Sequence, residues 1–310
     1  MRNRELKDDA QTISKQKTPA IIALLAAALI WGMGFIATNI AQDAQYSSPY
    51  IMVTRFIIAS LIFGLVAYKK LQRILPFELR AGILSGIFLF LGFALQTFGL
   101  EDTTPTRNAF FTATSILFVP FISWLVFRQR PPLRIFIAAF ICFPGVLALS
   151  LDGELALVLS RGDLLTLACA VAFALHTVIL GYFAVSIDAV RLNFLQLCTA
   201  AVLSIALYLW QGPGLATEPM LLQPAFLAVL FLAVFSTCIA FFLQTKAMQY
   251  VSPGTASVIV ASESLFASVL SLGLGFEKFT TNLLVGGSLI FLAVLVTEWN
   301  PRRKREVADV

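Results

Sequence analysis

Charge is scarce in this chain. Asp, Glu, Lys and Arg make up only 13% of its 310 residues, about half the share found in soluble domains. So few charges cannot build the polar surface that keeps a soluble core in water. Histidine occurs once, at His176, which excludes a zinc-type histidine cluster. The four cysteines, Cys142, Cys169, Cys198 and Cys238, lie inside apolar runs without metal-ligand spacing. They read as small hydrophobes and not as a disulfide framework. No phosphate-cradling loop ending in Lys-Ser or Lys-Thr is present, and no Ser, His and carboxylate set has workable geometry. ATP-driven pumping and hydrolysis therefore lack their parts within the chain, and no enzyme activity, metal or cofactor is expected.

What is abundant is apolar surface: 59% of residues are hydrophobic and the mean hydropathy is +0.87. Runs of about 20 apolar residues, enough to cross a bilayer, recur from Lys17 to Trp299 with little chain between them. Punctuation places ten helical spans near 18–42, 48–69, 80–100, 106–127, 132–151, 162–185, 189–210, 224–250, 254–274 and 281–299. Each run is apolar all round and lacks the period-two alternation of a transmembrane strand, so an all-α membrane bundle is expected and not a barrel. The polar segment before Lys17 leads into an apolar run with no small-residue cleavage site, and reads as a cytoplasmic tail and not a signal peptide.

Charge asymmetry orients the spans. With the N-terminus inside, the cytoplasmic segments collect about 18 of the 22 bases, including Lys69, Lys70, Arg73, Arg80, Arg128, Arg130, Arg134, Arg191, Lys246 and the tail bases Arg302, Arg303, Lys304 and Arg305. The other side receives Glu101, Asp102, Asp152, Glu154, Glu218 and Glu277, with Arg55, Arg107, Arg161 and Lys278 as its nearby bases. Both termini are thus expected in the cytoplasm. The net charge of +5 is read as juxtamembrane anchoring, with membrane lipids and a small solute as partners and no nucleic acid.

Sliding the chain against itself exposes a repeat. Phe93-Ala94-Leu95-Gln96-Thr97 recurs as Phe241-Phe242-Leu243-Gln244-Thr245, and at the same offset Pro76 falls on Pro224, Pro105 on Pro253, Ala113 on Ala261, Leu117 and Phe118 on Leu265 and Phe266, and Ser123 on Ser271. Two five-span halves follow, 18–151 and 162–299, between tails at 1–17 and 300–310. Five is odd, so the second half enters the membrane in the opposite sense to the first, as in the inverted repeats of many secondary transporters.

At these residues the chain resembles the drug/metabolite transporter superfamily, specifically its ten-span EamA-type branch. The resemblance is carried by Trp31-Gly32 followed by Phe35, Thr54-Arg55-Phe56, Leu95-Gln96-Thr97, Val119-Pro120-Phe121, Leu243-Gln244-Thr245, Ser252-Pro253, Ser262-Glu263 to Phe266-Ala267, and Gly275 to Glu277. It implies paired EamA repeats around a central cavity and transport of metabolites, amino acids or toxic compounds, often outward. One departure is Ser264, where the family usually has a Pro after the Glu matched by Glu263, so a helix break at that point loses its support.

Candidate site residues are the polar groups inside apolar spans. Glu263 lies deep in the ninth span, where a carboxylate is costly unless it faces water or a partner. It reads as a cavity group for a cation or a coupling proton, against a buried neutral structural carboxyl. Its repeat mate Ser115 shares a helix face with Asn108 and Thr112, to line the cavity or to glue helices. His176 sits mid-span as a proton relay or as a hydrogen-bonded core residue, with the core role favoured. Trp31, Phe35 and Asn39 of the first span and Tyr182 of the sixth are candidate cavity walls. Gln96 and Gln244 are assigned to gates or helix ends. Arg55 and Lys246 are expected to snorkel to headgroups, against holding a substrate carboxylate. The functional expectation is a permease of the bacterial inner membrane, a monomer or homodimer that exports a small metabolite such as an amino acid, with proton coupling open. A lipid flippase or headgroup-handling protein is the alternative, and it would need basic residues at headgroup depth beside a lateral opening.

Overall fold

The structure is a computed structural model that describes residues 2–103, 105–128, 130–150, 159–211, 224–273 and 280–299. The described residues are helical, without strands. The acidic residues Asp152, Glu154, Glu218 and Glu277, together with Gly275, Lys278 and the bases from Arg302 to Arg305, lie outside them.

In chain order the helices are α1 (Arg2–Asp43), α2 (Ser48–Ala67), α3 (Pro76–Glu101), α4 (Pro105–Ala113), α5 (Ser115–Phe127), α6 (Leu133–Ser150), α7 (Arg161–Ala184), α8 (Ala189–Gln211), α9 (Pro224–Phe231), α10 (Ala240–Ala247), α11 (Pro253–Val260), α12 (Glu263–Gly273) and α13 (Thr281–Glu298). A π-helical stretch, Leu232–Ile239, joins α9 to α10 as one rod. Starts are set locally. Pro253 opens α11 behind the Ser252 cap, whose hydroxyl accepts the Thr255 N–H at 3.2 Å. Ser160 and Asp163 form a reciprocal capping box on α7. Arg128 closes α5 in the left-handed region at φ 55°.

Among the described residues eight helical stretches, with the broken helices counted through their breaks, are long and apolar enough to cross a membrane, and Leu133–Leu149 and Thr281–Thr297 are shorter apolar helices. Large hydrophobics such as Leu65, Leu125, Phe140 and Phe291 face outward, as an apolar solvent requires. Inside, α3 packs on α7 and α8, the 224–247 rod packs on α1 and α2, α2 meets α8, α5 meets α11, and α6 meets α13. The last contact depends on bare backbone: a Cβ on Gly286 would stand 2.6 Å from the Gly145 carbonyl oxygen.

Two ion pairs tie elements at opposite ends of α3. Glu78 at its start pairs with Arg191 of α8 at 2.9 Å and also accepts the Leu75 N–H. Beyond its far end, Arg107 of α4 pairs with Asp163 of α7, which also accepts from Thr103 at 2.7 Å.

A central cavity between two broken helices

Two spans break in mid-course at repeat-related positions. α4 gives way to α5 at Thr114, and α11 to α12 at Ala261 and Ser262. Thr114 Oγ1 donates to the Phe111 carbonyl at 2.6 Å and Ser262 Oγ to the Ile259 carbonyl at 2.6 Å. Each hydroxyl bonds a backbone acceptor three residues back, as Ser60 and Ser257 do within continuous helices, so the bond accompanies the break without alone producing it. The break beside Glu263 is present despite Ser264, which corrects the expectation drawn from the missing proline. Glu263 becomes the first residue of α12, and α1 comes close enough to hold it there only because residue 32 is glycine. A Cβ on Gly32 would lie 2.8 Å from the Glu263 carbonyl oxygen and 2.9 Å from the Ala267 nitrogen.

Between the breaks lies a cavity of about 850 Å3 of atom-free space, counted with its opening to solvent. α1 contributes Trp31, Gly34, Phe35 and Thr38, and α7 contributes Phe173, His176 and Thr177. Thr112, Ser115, Ser257, Val260 and Glu263 come from the broken spans, and Arg55, Gln96, Ser236 and Gln244 complete the polar lining. Aromatic rings close one wall. Phe93 and its repeat mate Phe241 touch each other with centroids 5.7 Å apart, Phe93 meets Phe173 at 5.2 Å, and Trp31 meets Phe241 at 5.0 Å.

Arg55 is not at the headgroups. It is 3% exposed, donates through Nε to Thr237 Oγ1 at 2.9 Å and through Nη2 to Ser236 Oγ at 3.3 Å, and lies 4.2 Å from the Phe93 ring centroid. The snorkelling expectation is corrected. The π-helical stretch delivers both hydroxyls as neighbours on a widened turn, and its Ser236 carbonyl also accepts the Trp31 indole N–H at 2.8 Å. The π-turn therefore fixes two of the cavity's larger side chains, and it carries no sequence signature beyond a Ser-Thr pair in an apolar run.

His176 is buried, and its Nε2 lies 2.9 Å from Gln196 Oε1. Gln196 belongs to a buried polar cluster with Asn193 and Thr245, bonded at 2.9 and 3.2 Å. Gln96 Nε2 donates to Thr112 Oγ1 at 3.1 Å.

Of the residues singled out in the sequence, Trp31, Phe35, Arg55, Gln96, Thr112, Ser115, His176, Gln244 and Glu263 border this one space. The others lie elsewhere. Asn108 is fully buried one turn from Thr112, where its amide donates to the Gln96 carbonyl at 3.0 Å and to Thr166 at 2.9 Å and pins α4 to α3 and α7. Asn39 bonds Asp43 at 3.1 Å, away from the cavity. Lys246 is exposed, donating to Gln249 at 2.8 Å beside the Tyr250 ring. Tyr182 is exposed, with its ring tilted against Phe127 and edge-on to Phe183. Sequence reasoning missed Ser236, Thr237 and Phe173.

An all-helical, multi-pass membrane protein enclosing a polar cavity at helix breaks belongs structurally with the carriers of small solutes. The chain is a member of the EamA-like transporter family, whose description matches it twice, over residues 18–151 and 160–299. It is 31% identical over 285 residues to an uncharacterized transporter of Archaeoglobus fulgidus, a match covering 89% of this chain and 85% of that protein. It is 25% identical to the uncharacterized inner membrane transporter YicL of Salmonella typhimurium, covering 93% and 98%. A solved crystal structure shares the fold with a TM-score of 0.72 at 18% identity, covering 91% of this chain and 96% of that one.

Proposed function

We propose that the protein is a secondary transporter moving a small organic metabolite, an amino acid or related compound, across the bacterial cytoplasmic membrane by alternating access, with export the favoured direction on family resemblance. One observation carries the reading: Arg55 and Glu263, a cation and an acid with no ion-pair partner among the described residues, line a single cavity with aromatic walls. Opposite poles around an apolar wall suit a zwitterion with an apolar body, each pole replacing water lost on entry. Trp31, Phe35, Phe93 and Phe241 supply the apolar contacts, and Thr112 and Ser115 the neutral hydrogen bonds.

The mechanism rests on ten spans in two inverted halves, 18–151 and 162–299, with the tails 1–17 and 300–310 in the cytoplasm. Three observations support it. Exchanging the halves maps the helix pairings onto themselves: α3 with α7 becomes the 224–247 rod with α1, while α2 with α8 and α6 with α13 are unchanged. The family description matches once in each half. The repeat mates Phe93 and Phe241 touch, as residues beside a twofold axis do. Halves related in this way rock about the cavity and expose it to each side in turn. Glu263 and His176 are the groups through which coupling protons would pass.

The test is reconstitution in proteoliposomes with counterflow of labelled amino acids, preceded by ligand-dependent thermal shift against amino acids, amines, nucleosides and sugars, since binding to the folded state raises its stability. Saturable counterflow lost in Arg55→Met supports the reading. A thermal shift confined to lipid headgroups, without counterflow, overturns it in favour of a lipid-handling protein.

A further inference from the structure

The two glutamines of the cavity are repeat mates in unlike states. Gln96 donates to Thr112 at 3.1 Å. Advancing both residues by 148 positions gives Gln244 and Val260, which also border the cavity. Valine is threonine with its hydroxyl replaced by a methyl, so the second pair cannot form and nothing there holds the Gln244 amide as Thr112 holds Gln96 through Nε2. Gln244 is only 4% exposed, and its Oε1 is buried without a hydrogen-bond partner among the described residues. Buried acceptors are rarely left empty, because an unmade hydrogen bond costs the whole of its desolvation.

A second acceptor lies on the same side. Gln196 Nε2 donates to Asn193 Oδ1 at 2.9 Å and to Thr245 Oγ1 at 3.2 Å, while Thr245 itself donates to the Phe241 carbonyl at 2.7 Å. These bonds orient the Gln196 amide so that Oε1 faces His176, and a neutral His176 must donate through Nε2, 2.9 Å away. Its proton is then on Nε2, and Nδ1 keeps a lone pair. The Glu263 carboxylate is a third acceptor bordering the cavity.

We infer that Gln244, whose Oε1 has no partner among the described residues, is the specificity-determining residue of the cavity: it accepts an N–H from the cargo, which is a primary amine with an apolar body. The inference rests on reading the cavity as the cargo site. Fully substituted ammonium groups, which have charge but no N–H, are discriminated against.

The experiment uses the purified full-length protein and two probes, phenethylamine and N,N,N-trimethylphenethylammonium, which share ring and charge and differ in N–H donors. The wild type is expected to bind phenethylamine at least about ten-fold more tightly, the range of a hydrogen bond to a charged group. Gln244→Leu, which removes the acceptor, is expected to erase most of that preference. Gln244→Met is expected to do the same, with unliganded melting temperatures confirming that both variants fold. Equal binding of the two probes by the wild type, or a preference that survives both substitutions, overturns the inference and leaves the transporter reading standing. Failure of the wild type to bind either probe also overturns it, and if amino-acid counterflow is absent as well, the transporter reading falls with it.

Discussion

Thr237→Val asks what holds a guanidinium inside this bundle. The substitution keeps shape and removes the acceptor that takes Arg55 Nε–H at 2.9 Å, in a setting where Thr237 is fully buried and Arg55 nearly so. Hydrogen bonds to charged groups contribute about 1.5–3 kcal/mol. Neutral bonds between membrane helices reach about 1.7 kcal/mol at most, because the unfolded state in lipid also finds partners. The low end of the charged range, about 1.5–2 kcal/mol, is therefore expected, since Ser236 at 3.3 Å and the Phe93 ring still hold the other face. At roughly 2–4 °C per kcal/mol for a chain of this order, the melting temperature should fall by about 3–8 °C. Arg55→Met alone removes the charge and leaves the hydroxyls unpaired, while the double variant replaces both partners with apolar groups and should recover most of the loss. A double-mutant cycle in mixed-micelle unfolding reads the coupling directly. Coupling below about 0.5 kcal/mol would refute the reasoning and place the stabilisation of Arg55 in the aromatic face alone.

Three further outcomes follow from the geometry. Gly32→Ala forces a methyl within 3 Å of the α12 backbone; a loss of about 1–3 kcal/mol is expected, together with weaker cargo binding as Glu263 is displaced, read by unfolding and thermal shift. Asp163→Asn breaks a buried ion pair and half of a capping box and should cost about 3 kcal/mol or more, whereas Arg161→Gln, whose contact with Asp102 is exposed at 4.0 Å, should cost almost nothing. Glu263→Gln should remove the dependence of counterflow on a proton gradient; unchanged transport across a pH series would eliminate this carboxyl as the coupling group.

The helices and several of the polar residues that border the cavity were legible in sequence because lipid makes the logic strict. An apolar run must be a helix, and a polar group within it must face inward. Glu263, His176, Thr112 and Ser115 were reached that way. What sequence could not resolve was which neighbour each group meets. Asn108 and Thr112 share a face one turn apart, yet one clasps helices and the other borders the cavity, a difference set by where α7 crosses. Arg55 lies about two turns inside α2, a reach from which it could snorkel, and only the packing of the π-helical stretch, more than 180 residues away in sequence, turns it inward. The break at Ser262 was hidden for a different reason: no proline marks it, and a serine whose hydroxyl bonds its own backbone also occurs where the helix runs on, as at Ser257.

The π-helical stretch has a consequence for kinetics. Ser236 and Thr237 correspond in the first half to Phe88 and Leu89, which offer no hydroxyl, so the site is polar in a way its own symmetry would not produce. A carrier with two equivalent halves would present the same half-saturation concentration to both compartments. On the proposed alternating-access reading, this one takes the hydrogen bonds to its cation from the second half alone, so a solute arriving from the cytoplasm meets the residues in a different order from one arriving outside. No energy source is needed for the two faces then to saturate at different concentrations, with the maximal rates differing in compensation so that the final equilibrium is unchanged. Net direction still follows the solute's gradient, and the asymmetry sets how steeply the rate from each face answers to concentration.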